Sequence, residues 1–125
     1  MPKTTLTLLA GLILLAACAQ TTVQQMSRDT FKVDTSAAPA CGPSGARNVA
    51  FKAAAIEVIR KGGDKFILAD DRTNMDGWSG THAQGMIVKM IPEGSREASN
   101  ALSARQTLGA DWRKVVEKGV PMTCS

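Results

Sequence analysis

The chain has 125 residues, of which 44% are hydrophobic and 21% charged, with 15 Lys and Arg set against 11 Asp and Glu. That length suits one domain with a modest core. The net charge of +4 is spread over Arg28, Lys32, Arg47, Lys52, Arg60, Lys61 and others, and nowhere gathers into a basic block with interleaved aromatics. Nucleic acid is therefore not an expected partner, and a solvated mixed-charge surface accounts for the balance.

The first feature in the chain is an apolar run. Lys3 supplies a positive start, Leu6 to Leu15 is interrupted only by small or weakly polar residues, and Ala16 and Ala17 precede Cys18. This is the layout of a secretory signal, too short to span a bilayer and stay there. A buried helix that happens to end in cysteine is the competing reading. It does not account for the N-terminal position, the preceding lysine or the polar stretch that follows. Leu15-Ala16-Ala17-Cys18 resembles a bacterial lipobox, where a secreted precursor is cut and lipidated on cysteine. The resemblance implies that residues 1–17 are a signal peptide and that Cys18 carries acyl chains holding the protein in the cell envelope. Two or more such chains anchor stably. Ala19 stands where a retention signal would need aspartate, which implies the outer membrane, facing the periplasm. Lys3 is the sole charge removed, so the mature chain carries +3.

Lipidation consumes Cys18 and leaves Cys41 and Cys124 to form a disulfide, which an oxidising periplasm permits. On the chain-entropy account, closing so long a loop stabilises by about 4 to 5 kcal/mol. A zinc site would need more ligands than two cysteines and the distant His82, and there is no C-x-x-C redox pair. No metal and no cofactor are expected.

Residues 19 to 28 are polar apart from Ala19, Val23 and Met26, and with Cys18 they read as a lipidated tether over 18–28, ahead of a domain over 29–125. Ten extended residues reach at most roughly 33 to 36 Å. Thr30-Phe31-Lys32-Val33-Asp34 alternates and predicts a half-buried strand, broken by the prolines and glycine from Ala37 to Pro43. Ser44 to Lys61 predicts a helix with Ser44 as its cap and Gly62-Gly63 as its stop. Its apolar residues cover most of its circumference, so it should lie at the centre of the core. Phe66 to Ala69 and Met86 to Ile91 predict two more strands.

Between those strands Asp71 to Gly85 reads as a loop rich in Gly, Ser, Thr and Asn, and long loops in small domains are often functional. It is the candidate binding loop, with Trp78 and His82 as its candidate residues. Arg72, Asn74, Asp76 and Gly77 fall at calcium-loop spacing. However, arginine replaces the required first acid and Ala83 stands where a bidentate glutamate is needed. Ser79, His82 and nearby acids invite a Ser-His-Asp reading of a small periplasmic hydrolase, but Ser79 is not in a G-x-S-x-G elbow. The plainer reading is a polar hairpin tip with Trp78 folded onto the core. The alternative makes Trp78 an aromatic that stacks on sugar or peptide.

In the C-terminal third, Ser99 or Asn100 should cap a helix from Ala101 to about Thr107, and a second helix runs from Asp111 to Lys118. Three stretches carry a resemblance: Ala55 to Gly62 running into Asp64-Lys65-Phe66-Ile67, the Lys89-Met90 strand, and Asn100-Ala101-Leu102-Ser103-Ala104-Arg105-Gln106-Thr107-Leu108-Gly109-Ala110-Asp111-Trp112 with the terminal Cys124. Together they resemble small cell-envelope lipoproteins of alphaproteobacteria, a family that implies a lipid anchor and brings no activity with it. The element order is also similar to periplasmic lipoprotein domains used in envelope sensing. The expected fold is α+β, ordered β-α-β-β-α-α, with a three-stranded sheet packed on a central helix. The expected role is non-catalytic: binding, structural or sensing, with the membrane and an envelope protein or glycan as partners. No catalytic residue is assigned.

Overall fold

Residues 18–124 are described by the computed structural model, and they begin in a strand. The signal peptide expected over residues 1–17 lies outside the described residues. β1 (Ala19–Gln25) pairs antiparallel with β2 (Thr30–Ala37), and the turn closes where the Met26 and Ser27 amides donate to the Thr30 carbonyl at 2.9 and 3.0 Å. Asp29 accepts from Ser27 Oγ at 2.9 Å and Thr30 Oγ1 at 3.0 Å, and these two hydroxyls hold its carboxyl below the usual aspartate value. The tether expected over 18–28 is thus a hairpin arm and its turn. Composition hid it because β1 is an edge strand largely surrounded by water. Ala19 is its one buried residue, so no apolar alternation was required.

α1 (Gly42–Arg60) starts earlier than Ser44, with Pro43 in the first turn, where a missing N–H leaves no bond unmade. It stops at Lys61, and Gly62 takes a left-handed φ of 84° that other residues adopt only with strain. Ala50, Ala53 and Ala54 are fully buried and leave room for Phe31 and Val33 of β2 and for Phe66, Met86 and Val88 from the rest of the sheet. The core therefore sits between α1 and one face of the sheet, as the wide apolar circumference of the helix predicts.

The sheet has five strands, not three. β3 (Lys65–Met75), β4 (His82–Met90) and β5 (Leu102–Ser103) complete an antiparallel order β1-β2-β4-β3-β5. The expected loop over 71–85 is mostly strand, and only residues 76–81 lie between β3 and β4. Its polar sequence belongs to ladder that extends beyond the apolar core. A register shift between Leu68 and Asp70 leaves Ala69 as a bulge. Leu68 pairs with the buried Val88, whereas Asp70 pairs with Ile87, so the bulge turns Asp70 and Arg72 to the open face and Asp71 and Thr73 to the helix side.

The C-terminal third begins with a 3-10 turn (Arg96–Asn100), followed by β5, α2 (Ala104–Leu108) and α3 (Trp112–Lys118). Ser103, not Ser99 or Asn100, caps α2 by accepting from the Gln106 amide at 3.3 Å, because Leu102 and Ser103 are already paired with β3. Ser103 Oγ also donates to the Asp64 carboxylate, and the Arg105 amide reaches Asp64 Oδ1 at 3.0 Å. The stretch from Ala104 to Trp112 is thereby explained as a clamp. Arg105 lies 5.0 Å from the Trp112 ring centroid, Thr107 Oγ1 donates to the Ser103 carbonyl at 2.8 Å, Leu108 packs on the core and Gly109 ends α2. The element order is β-β-α-β-β-β-α-α.

The disulfide joins Cys41 and Cys124, with Cα atoms 5.8 Å apart across 83 positions. It draws the chain end across the start of β1, where the Ala19 amide donates to the Met122 carbonyl at 2.9 Å and Cys18 bridges to Thr123. Reduction, or Cys124→Ser, should lower stability by up to about 5 kcal/mol on the loop-entropy account, read as a clear fall in thermal midpoint against the oxidised chain. An unchanged midpoint would contradict a stabilising role for the Cys41–Cys124 bond.

Candidate functional site

The outer half of the β3–β4 hairpin has no apolar core beneath it and is held by a polar network. Gln84, 1% exposed, receives Thr73 Oγ1 on its Oε1 at 2.6 Å and gives its amide to Asp71 Oδ1. Asp71 Oδ2 in turn accepts both Nε and Nη2 of Arg47 at 3.2 and 2.8 Å. Arg47 stands in the early turns of α1, so the helix steadies the hairpin through a forked charge-assisted contact. Every buried side-chain polar atom among the described residues has a hydrogen-bond partner.

The tip is ordered by Asp76. Its Oδ1 accepts the Trp78 amide at 3.1 Å, its Oδ2 accepts Ser79 Oγ at 2.9 Å, and its backbone pairs with Thr81 and Gly80. The Trp78 amide, then the Ser79 hydroxyl, hold the Asp76 carboxyl below its usual value. The rigid turn presents Trp78 outward, 97% exposed, so the expectation that it folds onto the core is overturned.

His82 begins β4, paired with Ala37 and Met75 and half-buried. Ser79 Oγ is engaged by Asp76, by Thr81 Oγ1 at 3.0 Å and by the Thr81 amide at 3.2 Å. Among the described residues no hydrogen bond joins His82 to Ser79 or to Asp76, so these three are near in sequence without forming a relay. Nor does any group of three His, Cys, Asp or Glu side chains there come together as a metal ligand set.

Sequence reasoning missed a trough on the open face of the sheet. It encloses about 720 Å³ along β4, with Gly85 in its floor and Lys32, Asp34, Asp70 and Arg72 in its walls. Its charges are matched in pairs, Lys32 with Asp34 at 3.5 Å and Arg72 with Asp70 at 2.9 Å. A Cβ at position 85 would stand 3.3 Å from Asp34 Oδ1, so glycine keeps the floor low. The trough can accept a polar, extended ligand through exchange of these exposed pairs. Its signal in the sequence was the alternation of Lys32, Asp34 and Ser36, which is legible only once the face is known. A smaller hollow sharing Ser36, Asn74 and Ala83 continues it towards the tip.

Because the Asp76 carboxyl is lowered, its hold on the turn is complete above the unfolded aspartate pKa and is lost as pH falls through the folded value. The Trp78 amide resonance should therefore titrate in acid with a midpoint below that of an ordinary aspartate, and Asp76→Asn should abolish the transition. A midpoint at the ordinary value would contradict the turn. Comparison of the chain with family models, with curated proteins and with solved structures finds no match.

Proposed function

We propose that this is a lipid-anchored protein of the bacterial cell envelope, mature from Cys18 onward, with a non-catalytic binding, structural or sensing role. The observation that carries the reading is Leu15-Ala16-Ala17-Cys18 at the end of an N-terminal apolar run, leading to a cysteine whose side chain is exposed. A buried thiol could not carry acyl chains without dismantling the fold. The Cys41–Cys124 disulfide adds independent support, since such bonds persist in oxidising compartments and are rare in the bacterial cytosol. Ala19 in the sorting position supports outer-membrane residence facing the periplasm, by resemblance to bacterial lipoprotein sorting.

The binding role is favoured over a hydrolase because Ser79 spends its hydroxyl on the Asp76–Thr81 turn, with no hydrogen bond to His82 among the described residues. An envelope protein or glycan would be met by the polar trough along β4 or by Trp78 at the hairpin tip. Among the described residues no helix is long and apolar enough to cross a membrane, so in this reading attachment falls to Cys18.

Cys18→Ser should leave the chain as uncleaved precursor or release it from membranes. Mass spectrometry of the Cys18 peptide from the unsubstituted protein should find acyl mass on that residue. Unmodified Cys18 within an intact N-terminal segment, in cells that process other lipoproteins, would contradict the proposal.

A further inference from the structure

The register aligns the Cys18 end of the molecule row by row. Ala19 pairs with Ala37, Ala37 with His82, and His82 with Met75. One step beyond that row stand Cys18, bonded through its carbonyl to the Ala38 amide at 2.9 Å, and the Asp76–Thr81 pair at 3.0 Å. Trp78 lies two residues past Asp76, so the tip reaches further than Cys18 by one or two strand rises of about 3.3 Å each. Laterally, two or three strand spacings separate them, or about 10 to 15 Å. The tip also lies close to the chain just past Ala38, the partner of Cys18, since a Cβ on Gly80 would meet Pro39 Cγ at 3.2 Å.

This end is poor in charge. Residues 38–46, 75–83 and 122–124 contain one carboxylate, Asp76, and no lysine or arginine. They do contain the exposed apolar side chains Met75, Trp78 and Met122. The opposite end is dense in charge, with Arg28, Asp29, Lys61, Asp64, Glu93 and Arg105 around one hollow. A strand starts directly at Ala19, so nothing between a lipidated Cys18 and the domain could act as a spacer.

Resting on the reading that Cys18 is acylated, we propose that the Cys18 end of the domain docks on the bilayer, with the Trp78 indole at headgroup level beside the acyl chains. A membrane holding Cys18 at its surface meets the tip first, because the tip projects further. Tryptophan favours the headgroup region, where an apolar ring and a polar N–H are both accommodated. An end without cations takes no electrostatic pull from anionic lipid, so the contact is apolar and indifferent to lipid charge.

The test uses the full acylated chain, purified from membranes and reconstituted into vesicles of phosphatidylcholine brominated on its acyl chains. Trp112→Phe leaves Trp78 as the single indole, and Trp78→Phe leaves Trp112, which stacks on Arg105 beside Asp64 at the far end. The Trp78 indole should shift to the blue and lose intensity to the brominated lipid, equally with and without anionic lipid, while Trp112 should do neither. An acylated, vesicle-bound chain whose Trp78 keeps its aqueous emission overturns the docking and leaves the anchor standing. If that emission shifts instead on adding soluble peptidoglycan, the tip belongs to a glycan. A chain with no acyl mass on Cys18 overturns the anchor and the docking together.

Discussion

The disulfide between Cys41 and Cys124 is the constraint on which the Cys18 end of the domain depends. It returns the chain end to the start of α1 and lays residues 122–124 along β1, so that Cys18 and Ala19 have backbone partners on both sides. β1 needs that help. Ordering one residue costs about 1 to 2 kcal/mol of backbone entropy, and β1 buries only Ala19 in return. The Thr21–Thr35 hydroxyl pair at 2.8 Å and the ladder to β2 supply the rest. A lipid on Cys18 would therefore hold the domain by a fixed point on its sheet, and the orientation of the domain would follow from the fold.

Polarity does a second structural job in the hairpin. Between the early turns of α1 and the hairpin, apolar packing gives way to Arg47, Asp71, Gln84 and Thr73, each bonded to the next. Such a network is worth its desolvation only when complete, and among the described residues no buried side-chain polar atom is left without a partner. The Ala69 bulge makes it possible by delivering Asp71 to the helix side while sending Asp70 and Arg72 to the trough. One inserted residue thus separates the groups that hold the hairpin from those that line the trough.

Elements whose burial leaves a mark on composition were legible in the sequence. Phe31 and Val33 announced β2, the apolar girth of α1 announced the central helix, and cysteine arithmetic led to the Cys41–Cys124 bond. Elements held by backbone or polar bonds left no such mark. β1 read as a tether, the outer hairpin as a loop and β5 as part of a helix, because Gln20, Thr22, Asn74 and Ala83 are exposed strand residues with no face to hide. Trp78 was assigned to the core on chemistry alone, without the knowledge that the tip stands clear of it. Of the site, only the turn over residues 76–81 was legible within the expected loop, and the trough was not, since its walls come from strands distant in sequence.

The central claim is that ordered structure begins immediately after Cys18. Amide hydrogen exchange on the chain tests it directly, because the register aims the Gln20, Thr22 and Gln24 amides at β2. Those three amides should exchange as slowly as their neighbours in β2 and should quicken when the disulfide is reduced. Exchange at the rate of an unstructured peptide in the oxidised chain would make residues 19–25 a tether after all, and would detach Cys18 from the fold.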